Sequence, residues 1–304
     1  MTPQVTDRVQ PAAETTVPSG AAGVPDTRGP AHREVSGGAK RVLTMSTLAF
    51  TLMFAVWLMF GILGVPIQKE LGLSDPQLAW ISAVAVLNGT RQPISWGTSL
   101  AGITTSFAPS GKQIALTFDA CDGRCDEKVV DTLQRNGIPA VLFFCAKWID
   151  ANPNRAVQLA ADPLFEIGNH GTRHVPLSVS GRSAYGIGGT RSAQQVVDEV
   201  WTNHDKLVAL TGTPPTWFRP GTAYYDDVAV EIVSELGQRP LGFSVNGDRG
   251  ATAPSAAVQS AYLGAAPGSI VISHMNHPES GTGVGVAAAV PAMLAAGWQF
   301  VHPG

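Results

Sequence analysis

The sequence has few charged residues and no excess of either sign. Charged side chains make up 14 % of the 304 residues, and 20 Lys and Arg against 23 Asp and Glu give a net charge of −3. This balance provides no basic surface suited to nucleic acid or anionic lipid. Hydrophobic residues amount to 44 %, which is enough for a sizeable core in one large domain or two small ones.

Cysteine is also scarce, and its number is odd. Cys121, Cys125 and Cys145 all fall near the ends of the first two predicted strands described below. An odd count in an exported domain leaves at least one thiol unpaired. We expect one disulfide among the three if the domain is exported, and we rank a cysteine metal site below that alternative.

Residues 1–39 lack aromatic side chains and apolar periodicity, and they are rich in Pro, Ala, Gly, Thr and Val. Such a segment cannot bury enough apolar surface to offset the entropy lost on ordering. It is predicted to be a disordered tail.

The segment 40–94 is predicted to be a membrane anchor. The run Val42–Val65 carries no charge and is long enough to span a bilayer as a helix. Lys40 and Arg41 precede it directly, which predicts a cytoplasmic N-terminus and a periplasmic or extracellular location for the rest. The second apolar run, residues 76–89, is too short to cross, and we expect it to lie at the interface or to pack locally.

After a predicted linker (residues 95–111), short apolar runs alternate with helical patterns through the domain 112–304. This alternation favours parallel strands with right-handed crossovers, and hence an α/β fold. Seven units suit a distorted (β/α)7 barrel better than an open sheet. The predicted strands are Ile114–Asp119, Ala140–Cys145, Leu164–Asn169, Thr216–Arg219, Leu241–Val245, Ser269–His274 and Gln299–His302.

Residues capable of chemistry lie at or just beyond the carboxyl ends of these strands, where α/β barrels hold their active sites. The segment "ALTFDACDG" delivers Asp119 and Asp122, and "GNHGTRH" places His170 and His174 four residues apart, a spacing that suits a metal ion. Taken alone, a His-x-x-x-His pair is more often a surface or hydrogen-bonding pair. Two further segments complete the set, "WFRPGTAYYDD" with Arg219 and "SIVISHMNHP" with His274.

In this order the four segments resemble the polysaccharide deacetylases, the carbohydrate esterase family of chitin, peptidoglycan and nodulation-factor deacetylases. The resemblance covers residues 112–303. It implies a divalent metal, with zinc expected first and nickel, cobalt or manganese as alternatives. It also implies an acetylated glycan as substrate, either peptidoglycan or a chitin-like polymer, with N-acetyl favoured over O-acetyl.

The resemblance also implies roles for individual residues. His170, His174 and an Asp would hold the metal, whose bound water attacks the acetyl carbonyl. Asp119 would be the general base, held by Arg219. His274 would protonate the leaving amine, with Asp248 orienting it. A backbone N–H near Gly221 or Thr222 would meet the oxyanion.

The sequence departs from the family pattern at the acidic motif. Two adjacent Asp residues are usual there, whereas Ala120 and Cys121 separate Asp119 from Asp122 in this chain. We assign Asp122 as the third ligand, and the alternatives are a water or Cys121. The third motif has Gly221 and Thr222 in place of the family's Pro and aromatic pair. The fourth motif, usually rich in Asp and Trp, reads "VNGDRGA" and contains Asp248.

A second resemblance covers residues 41–90, which look like the start of a nitrate/nitrite transporter of the major facilitator superfamily. Transport in that family requires about a dozen spans, so we interpret the segment as an anchor. Two alternatives to the enzyme remain: a catalytically inactive glycan-binding relative, and a membrane protein whose function lies in the transporter-like segment. The glycine-rich loop Val175–Arg191 is predicted to form part of a substrate groove.

Overall fold

The computed structural model describes residues 41–42, 44–52 and 75–304. The chain divides into two units, Met1–Phe60 and Gly61–Gly304. In the first unit the described residues are helical. No helix among the described residues is long and apolar enough to cross a membrane. The predicted tail and most of the predicted span Val42–Val65 lie outside the described ranges, so the anchor remains a prediction.

The second unit is built on a parallel sheet of eight strands. Its strand order is β10-β11-β2-β3-β4-β7-β9, and β12 pairs with the first residues of β2. These strands are β2 (Gln113–Ala120), β3 (Ala140–Phe144), β4 (Phe165–Asn169), β7 (Trp217–Phe218), β9 (Arg239–Pro240), β10 (Val245–Asn246), β11 (Ile270–His274) and β12 (Gln299–Phe300).

Helices cover the outer face of the sheet, and short strands lie in the loops. The helices are α1 (Asp75–Asn88), α2 (Glu127–Asn136), α3 (Ala146–Ala151), α4 (Pro153–Ala160), α5 (Ala193–Thr211), α6 (Asp227–Glu235), α7 (Ser255–Leu263) and α8 (Thr282–Ala295). Outside the main sheet, β1 (Trp96–Gly97) pairs with β8 (Tyr225–Asp226), and β5 (Ser183–Ala184) pairs with β6 (Ile187–Gly188).

The sheet curls into a half-barrel, with β10 and β9 as its two edges. The predicted α/β class is therefore correct, whereas one predicted strand is wrong. Leu241–Val245 does not form a single strand. This segment connects β9, at one edge of the sheet, to β10, at the other edge. The carbonyl groups of Leu241 and Gly242 accept hydrogen bonds from Arg219 instead of from a neighbouring strand.

Alternation along β2 separates the core from the site. Leu116 and Phe118 point outward into the large apolar cluster beneath the helices, whereas Ala115 belongs to a smaller cluster inside the curl. Because side chains in a strand alternate between faces, Thr117 and Asp119 share the inner face with Ala115. The inner face of β2 is therefore apolar at the beginning of the strand and polar at its carboxyl end.

The predicted linker 95–111 has a definite place in the fold. The amide of Thr104 donates to Pro240 O (3.0 Å) beside β9, and the amide of Phe107 donates to Gly268 O (3.0 Å) just before β11. These residues therefore lie across the opening between the two ends of the sheet. Further upstream, α1 packs on α5 and α6 through Ile81 and Val84, so the short apolar run 76–89 packs locally.

Asp226 ties a long loop to the start of α6. Its carboxylate is fully buried, and it accepts hydrogen bonds from the amides of Ala229 (2.8 Å) and Val179 (2.7 Å). The first bond caps the helix, and the second satisfies a backbone group of the loop Val175–Arg191.

We therefore expect Asp226→Ala to lower the free energy of unfolding by about 2–4 kcal/mol, since it removes a helix cap and leaves the Val179 amide without its partner. Urea denaturation followed by circular dichroism would measure the change. Asp198→Ala is the matched control, because Asp198 is an exposed carboxylate on α5. It should change stability by less than about 0.5 kcal/mol. Equal losses in the two variants would contradict the assigned role of Asp226.

Candidate active site

A buried ion pair lies at the carboxyl end of β2. Asp119 Oδ1 accepts a hydrogen bond from Arg219 Nη1 at 2.7 Å, and both side chains are almost inaccessible to solvent. Burial alone would raise the pKa of Asp119, but the positive charge of Arg219 opposes this effect, and the pKa lies below its ordinary value. Asp119 is therefore ionised at neutral pH.

The guanidinium of Arg219 is bound on several sides. Nη1 also donates to Thr117 Oγ1 (2.9 Å), Nε donates to Leu241 O (3.2 Å), and Nη2 donates to Gly242 O (3.0 Å). The aromatic ring of Phe143 lies beneath it, 4.4 Å from the guanidinium carbon. This arrangement fixes the plane of the fork, so only one orientation of Asp119 satisfies it.

The loop after β4 carries the two histidines. Asn169 Oδ1 accepts from the Gly171 amide (2.9 Å), and buried Glu199 accepts from the amide of Arg173 (2.8 Å), so the loop is held from within the domain. Gly171 has a positive φ of 77°, and a Cβ at this position would lie 2.8 Å from Glu199 Oε1. The imidazole rings of His170 and His174 consequently meet edge to face, with their centroids 4.9 Å apart.

Hydrogen bonding determines which nitrogen of His170 faces the site. Nδ1 lies 2.7 Å from Arg219 O, a carbonyl that can only accept, so Nδ1 carries the proton. Nε2 is therefore left with its lone pair, 3.5 Å from Cys121 Sγ and 3.6 Å from Asp119 Oδ2. Burial lowers the pKa of His170, and burial together with His170 lowers the pKa of His174 to about 3, so both rings are neutral at neutral pH.

Cys121, His170 and His174 place one sulfur and two nitrogen atoms within 4.8 Å of one another. A tetrahedral zinc ion with usual bond lengths separates a thiolate sulfur from an imidazole nitrogen by roughly 3.5 Å. The observed 3.5 Å between Cys121 Sγ and His170 Nε2 has this value. Without a metal, burial and the charge of Asp119 raise the pKa of Cys121 well above its ordinary value. The donor set fits a zinc-like ion, which would stabilise the thiolate.

Asp122 does not join this cluster. Its side chain is exposed to solvent, whereas Cys121 is buried beside the histidines. The reason is the alternation of the strand: Asp119 points inward, Ala120 points outward into the core beneath the helices, and Cys121 points inward again. The structure thus places Cys121, the alternative third ligand, beside the two histidines, whereas Asp122 lies outside this cluster; which of them binds a metal stays a prediction. All three cysteines are free thiols, so the expected disulfide is absent from the described residues.

A second carboxylate–histidine pair lies on the neighbouring strand. His274 is the register partner of Asp119 across β11 and β2, and its Nδ1 lies 3.0 Å from Asp248 Oδ1. Asp248 Oδ2 also accepts from the His274 amide (2.7 Å) and from Thr282 Oγ1 (2.9 Å). Burial by itself would lower the pKa of His274, but the hydrogen bond and charge of Asp248 outweigh it and raise the pKa.

The turn after Arg219 closes the other side of the site. A Cβ at Gly221 would lie 2.3 Å from the backbone carbon of His174, so only glycine allows this approach. Thr222 has a φ of 72°, which is uncommon for a β-branched residue, and its buried hydroxyl has no partner among the described residues. The turn thus holds its backbone against the histidine loop.

Some contributing residues carry no motif in the sequence. Thr117 and Phe143 hold the guanidinium, Glu199 holds the histidine loop, and Thr282 holds Asp248. The inward position of Thr117 could be found by counting back two residues from Asp119. The partners from helices α5 and α8 are distant in sequence, and no local pattern identifies them.

Comparison with protein families agrees with the motifs. Residues 108–241 match the model of the polysaccharide deacetylase family. The predicted resemblance to this family is confirmed. The match includes the acidic motif, the histidine loop and the Arg219 segment, whereas His274 lies beyond it.

Two solved structures have a similar fold. A peptidoglycan N-acetylglucosamine deacetylase, Bc1960, is 20% identical with a TM-score of 0.57, and the match covers 65% of this chain and 89% of that one. PdaA of Bacillus subtilis, a family 4 carbohydrate esterase, is 17% identical with a TM-score of 0.55, over 75% and 87% of the two chains.

A pseudoenzyme of the same esterase family from Bacillus anthracis is 20% identical with a TM-score of 0.54, covering 64% of this chain and 65% of that one. Near the N-terminus, 50 residues are 78% identical to a probable nitrate/nitrite antiporter, NarK1, of Thermus thermophilus. They amount to 16% of this chain and 11% of the antiporter, so the chain spans a small part of that relative.

The pair of Asp248 and His274 predicts a specific pH dependence of stability in the metal-free protein. The raised pKa of His274 adds stability that is complete below its unfolded value of 6.5 and is lost as the pH rises through the folded value. The lowered pKa of Asp248 adds stability that is present above 3.8 and is lost as the pH falls through the folded value. The pair therefore stabilises the fold most between these two limits.

We expect Asp248→Asn to destabilise the metal-free protein most near pH 5 to 6 and less near pH 9, and to lower the pKa of His274. Urea denaturation across this range and NMR titration of the histidine ring protons would measure both effects. Glu279→Gln is the matched control, since Glu279 pairs with His277 at 3.0 Å on the exposed surface. A loss in Asp248→Asn that does not vary with pH would contradict the assigned pairing.

Proposed function

We propose that this protein is a metal-dependent hydrolase that removes acetyl groups, N-acetyl in particular, from a glycan such as peptidoglycan or a chitin-like polymer. The observation that carries the proposal is the convergence of three groups at one end of the sheet: the cluster of Cys121, His170 and His174, the ionised Asp119, and His274 with its carboxylate partner. A metal site between a base and an acid is the arrangement that amide hydrolysis requires.

Cys121, His170 and His174 would hold the metal. One thiolate and two imidazoles favour zinc over magnesium or calcium, which prefer oxygen ligands. A divalent ion held by three protein ligands keeps open positions, polarises a carbonyl oxygen and lowers the pKa of water.

Asp119 is proposed as the general base. Its Oδ1 is engaged by Arg219, and its Oδ2 faces the histidine cluster, 3.6 Å from His170 Nε2. The free oxygen therefore lies next to the place where the attacking water would lose its proton. Arg219 acts as a positioning residue, because its fixed fork prevents the carboxylate from turning away.

His274 is proposed as the general acid. Its Nδ1 is held by Asp248, so Nε2 is the nitrogen that can deliver a proton to the leaving amine. The raised pKa of His274 keeps a larger fraction of the ring protonated near neutral pH than an ordinary histidine would have. Backbone amides of Gly221 and Thr222, in the turn beside His174, are proposed as donors to the oxyanion.

We also propose that residues 42–65 anchor the protein in a membrane, with its N-terminus in the cytoplasm and the catalytic domain outside. The support is the uncharged apolar run and the basic pair Lys40 and Arg41 before it. A domain placed outside would reach an envelope or environmental glycan.

The decisive experiment compares metal content and acetate release in matched variants. The full chain, purified in detergent and stripped of metal, should release acetate from chito-oligosaccharides or peptidoglycan once zinc is restored. Asp119→Asn should bind zinc but release no acetate. Cys121→Ser and His170→Ala should bind zinc at least about 100-fold more weakly, since even outer-shell changes cost 10–100-fold. Bound cobalt should show a thiolate charge-transfer band that Cys121→Ser abolishes.

Asp122→Asn is the control, since this exposed carboxylate lies outside the cluster. It should keep metal affinity, the cobalt band and activity. If Asp122→Asn lost the metal while Cys121→Ser kept it, the ligand assignment would be reversed.

A catalytically inactive glycan-binding relative is the second candidate. It is favoured by one observation, the replacement of the usual second Asp by Ala120. Glycan binding without acetate release by the zinc-loaded wild-type chain would support this candidate against the enzyme.

A further inference from the structure

A group of partly buried and exposed aromatic side chains lies near the proposed active site. Trp96 and Tyr224 have ring centroids 5.5 Å apart, and Tyr185 meets Tyr224 edge to face at 5.6 Å. The guanidinium of Arg182 lies 5.8 Å from the centre of the Trp96 ring. We call these four residues the aromatic platform.

Three separate segments of the chain build the platform. Trp96 belongs to β1 and pairs with Asp226 in β8, which places the upstream segment against the turn that follows Arg219. Tyr224 immediately precedes β8, and its carbonyl accepts from the Leu177 amide at 3.0 Å. Tyr185 and Arg182 come from the glycine-rich loop. Residues so distant in sequence form one surface only because the fold brings them together.

The backbone at Tyr185 is unfavourable for a tyrosine. Tyr185 and Gly186 form the two-residue turn between β5 and β6, with φ values of 52° and 78°. Both positions of such a turn favour Gly, Asn or Asp. A bulky residue with positive φ is uncommon, and such conformations cluster at ligand clamps and active sites. Here the turn holds an aromatic ring that is 79% exposed.

The platform is close in the chain to the turn of the proposed active site. Gly221 packs against the backbone of His174, and Tyr224 follows it by three residues. The Cα atoms of Gly221 and Tyr224 are thus at most about 11 Å apart, since consecutive Cα atoms lie 3.8 Å apart. A chain of sugars whose reacting residue lay at the histidine cluster would extend over a surface at this distance.

We propose that the aromatic platform binds the glycan chain next to the sugar that is deacetylated. This inference rests on the proposed function and specifies its substrate as a chain of several sugars. The ring faces of sugars expose C–H groups that pack on aromatic rings, while their hydroxyl groups hydrogen-bond to polar groups. Tyrosine and tryptophan offer an apolar body with a polar end, and Arg182 adds hydrogen-bond donors. The platform therefore matches the amphipathic surface of a glycan.

The test uses the full chain, metal-free, in a detergent without a sugar headgroup, with chito-oligosaccharides of two and five sugars as probes. Calorimetric titration should give the wild type a higher affinity for the longer probe. Trp96→Ala and Tyr185→Asn should raise the Kd for the longer probe by about two- to tenfold each, the usual contribution of an aromatic contact. Tyr185→Phe should retain the wild-type affinity.

Tyr185→Asn separates binding from folding. Asn tolerates positive φ better than Tyr, so this variant should unfold at the same temperature as the wild type or higher, even though it binds the longer probe more weakly. Trp298→Ala is the control for the loss of a half-buried tryptophan. Trp298 precedes β12 and lies at the opposite end of the sheet, roughly 20 Å from Asp119 along β2. Trp298→Ala should leave the Kd for the longer probe unchanged.

The outcomes separate this proposal from the proposed function. Equal affinity of the wild type, Trp96→Ala and Tyr185→Asn for the longer probe would overturn the platform, and so would a wild type that binds neither probe. Platform-dependent binding by a zinc-loaded wild type that releases no acetate would refute the deacetylase and leave the platform standing. If the zinc-loaded wild type releases acetate, KM for the longer probe should rise in Trp96→Ala and Tyr185→Asn while kcat stays unchanged.

Discussion

The ion pair of Asp119 and Arg219 sets the geometry on which the rest of the site depends. Transferring two charges into a protein interior costs several kcal/mol per ion unless hydrogen bonds compensate. The Arg219 guanidinium therefore donates hydrogen bonds to Thr117 and to the carbonyl groups of Leu241 and Gly242, and it packs on the ring of Phe143. The chain leaves the sheet after β9, and the carbonyl groups at this point bind the guanidinium instead of a neighbouring strand. The opening of the half-barrel and the binding of the guanidinium thus involve the same residues.

The parallel register of the strands brings the other groups of the proposed site next to this ion pair. Asp119 pairs with His274 across β11 and with Phe143 across β3, and Phe144 pairs with Asn169, which directly precedes His170. The carbonyl of Arg219 also binds His170 Nδ1, so the residue that holds the carboxylate also fixes the tautomer of the histidine. The proposed base, metal ligands and acid are consequently oriented by one shared set of contacts. Loss of Arg219 would disturb all of them together.

The segment upstream of the family match is part of the same unit. The family model begins at residue 108, yet Trp96 pairs with β8, Thr104 binds beside β9, and α1 packs on α5 and α6. These residues were expected to be an anchor and a linker. Their contacts give them a structural role, and through Trp96 the upstream segment reaches the proposed glycan surface. A fragment that began at the family match would therefore lack part of the domain.

The sequence by itself determined the fold class and the places of six of the seven predicted strands. It also placed Asp119, His170, Arg219 and His274 at or just beyond strand ends, because apolar periodicity and motif order are local properties. It did not determine which side chain lies beside the two histidines. Asp122 has the expected chemistry, but the alternation of β2 turns Cys121 inward, and this depends on where the strand ends. The division of Leu241–Val245, the support from Glu199 and Thr282, and the meeting of Trp96 with Tyr224 were decided by tertiary structure alone. Each is a contact between segments distant in the chain, and such contacts are fixed by packing and by the hydrogen-bonding needs of buried groups.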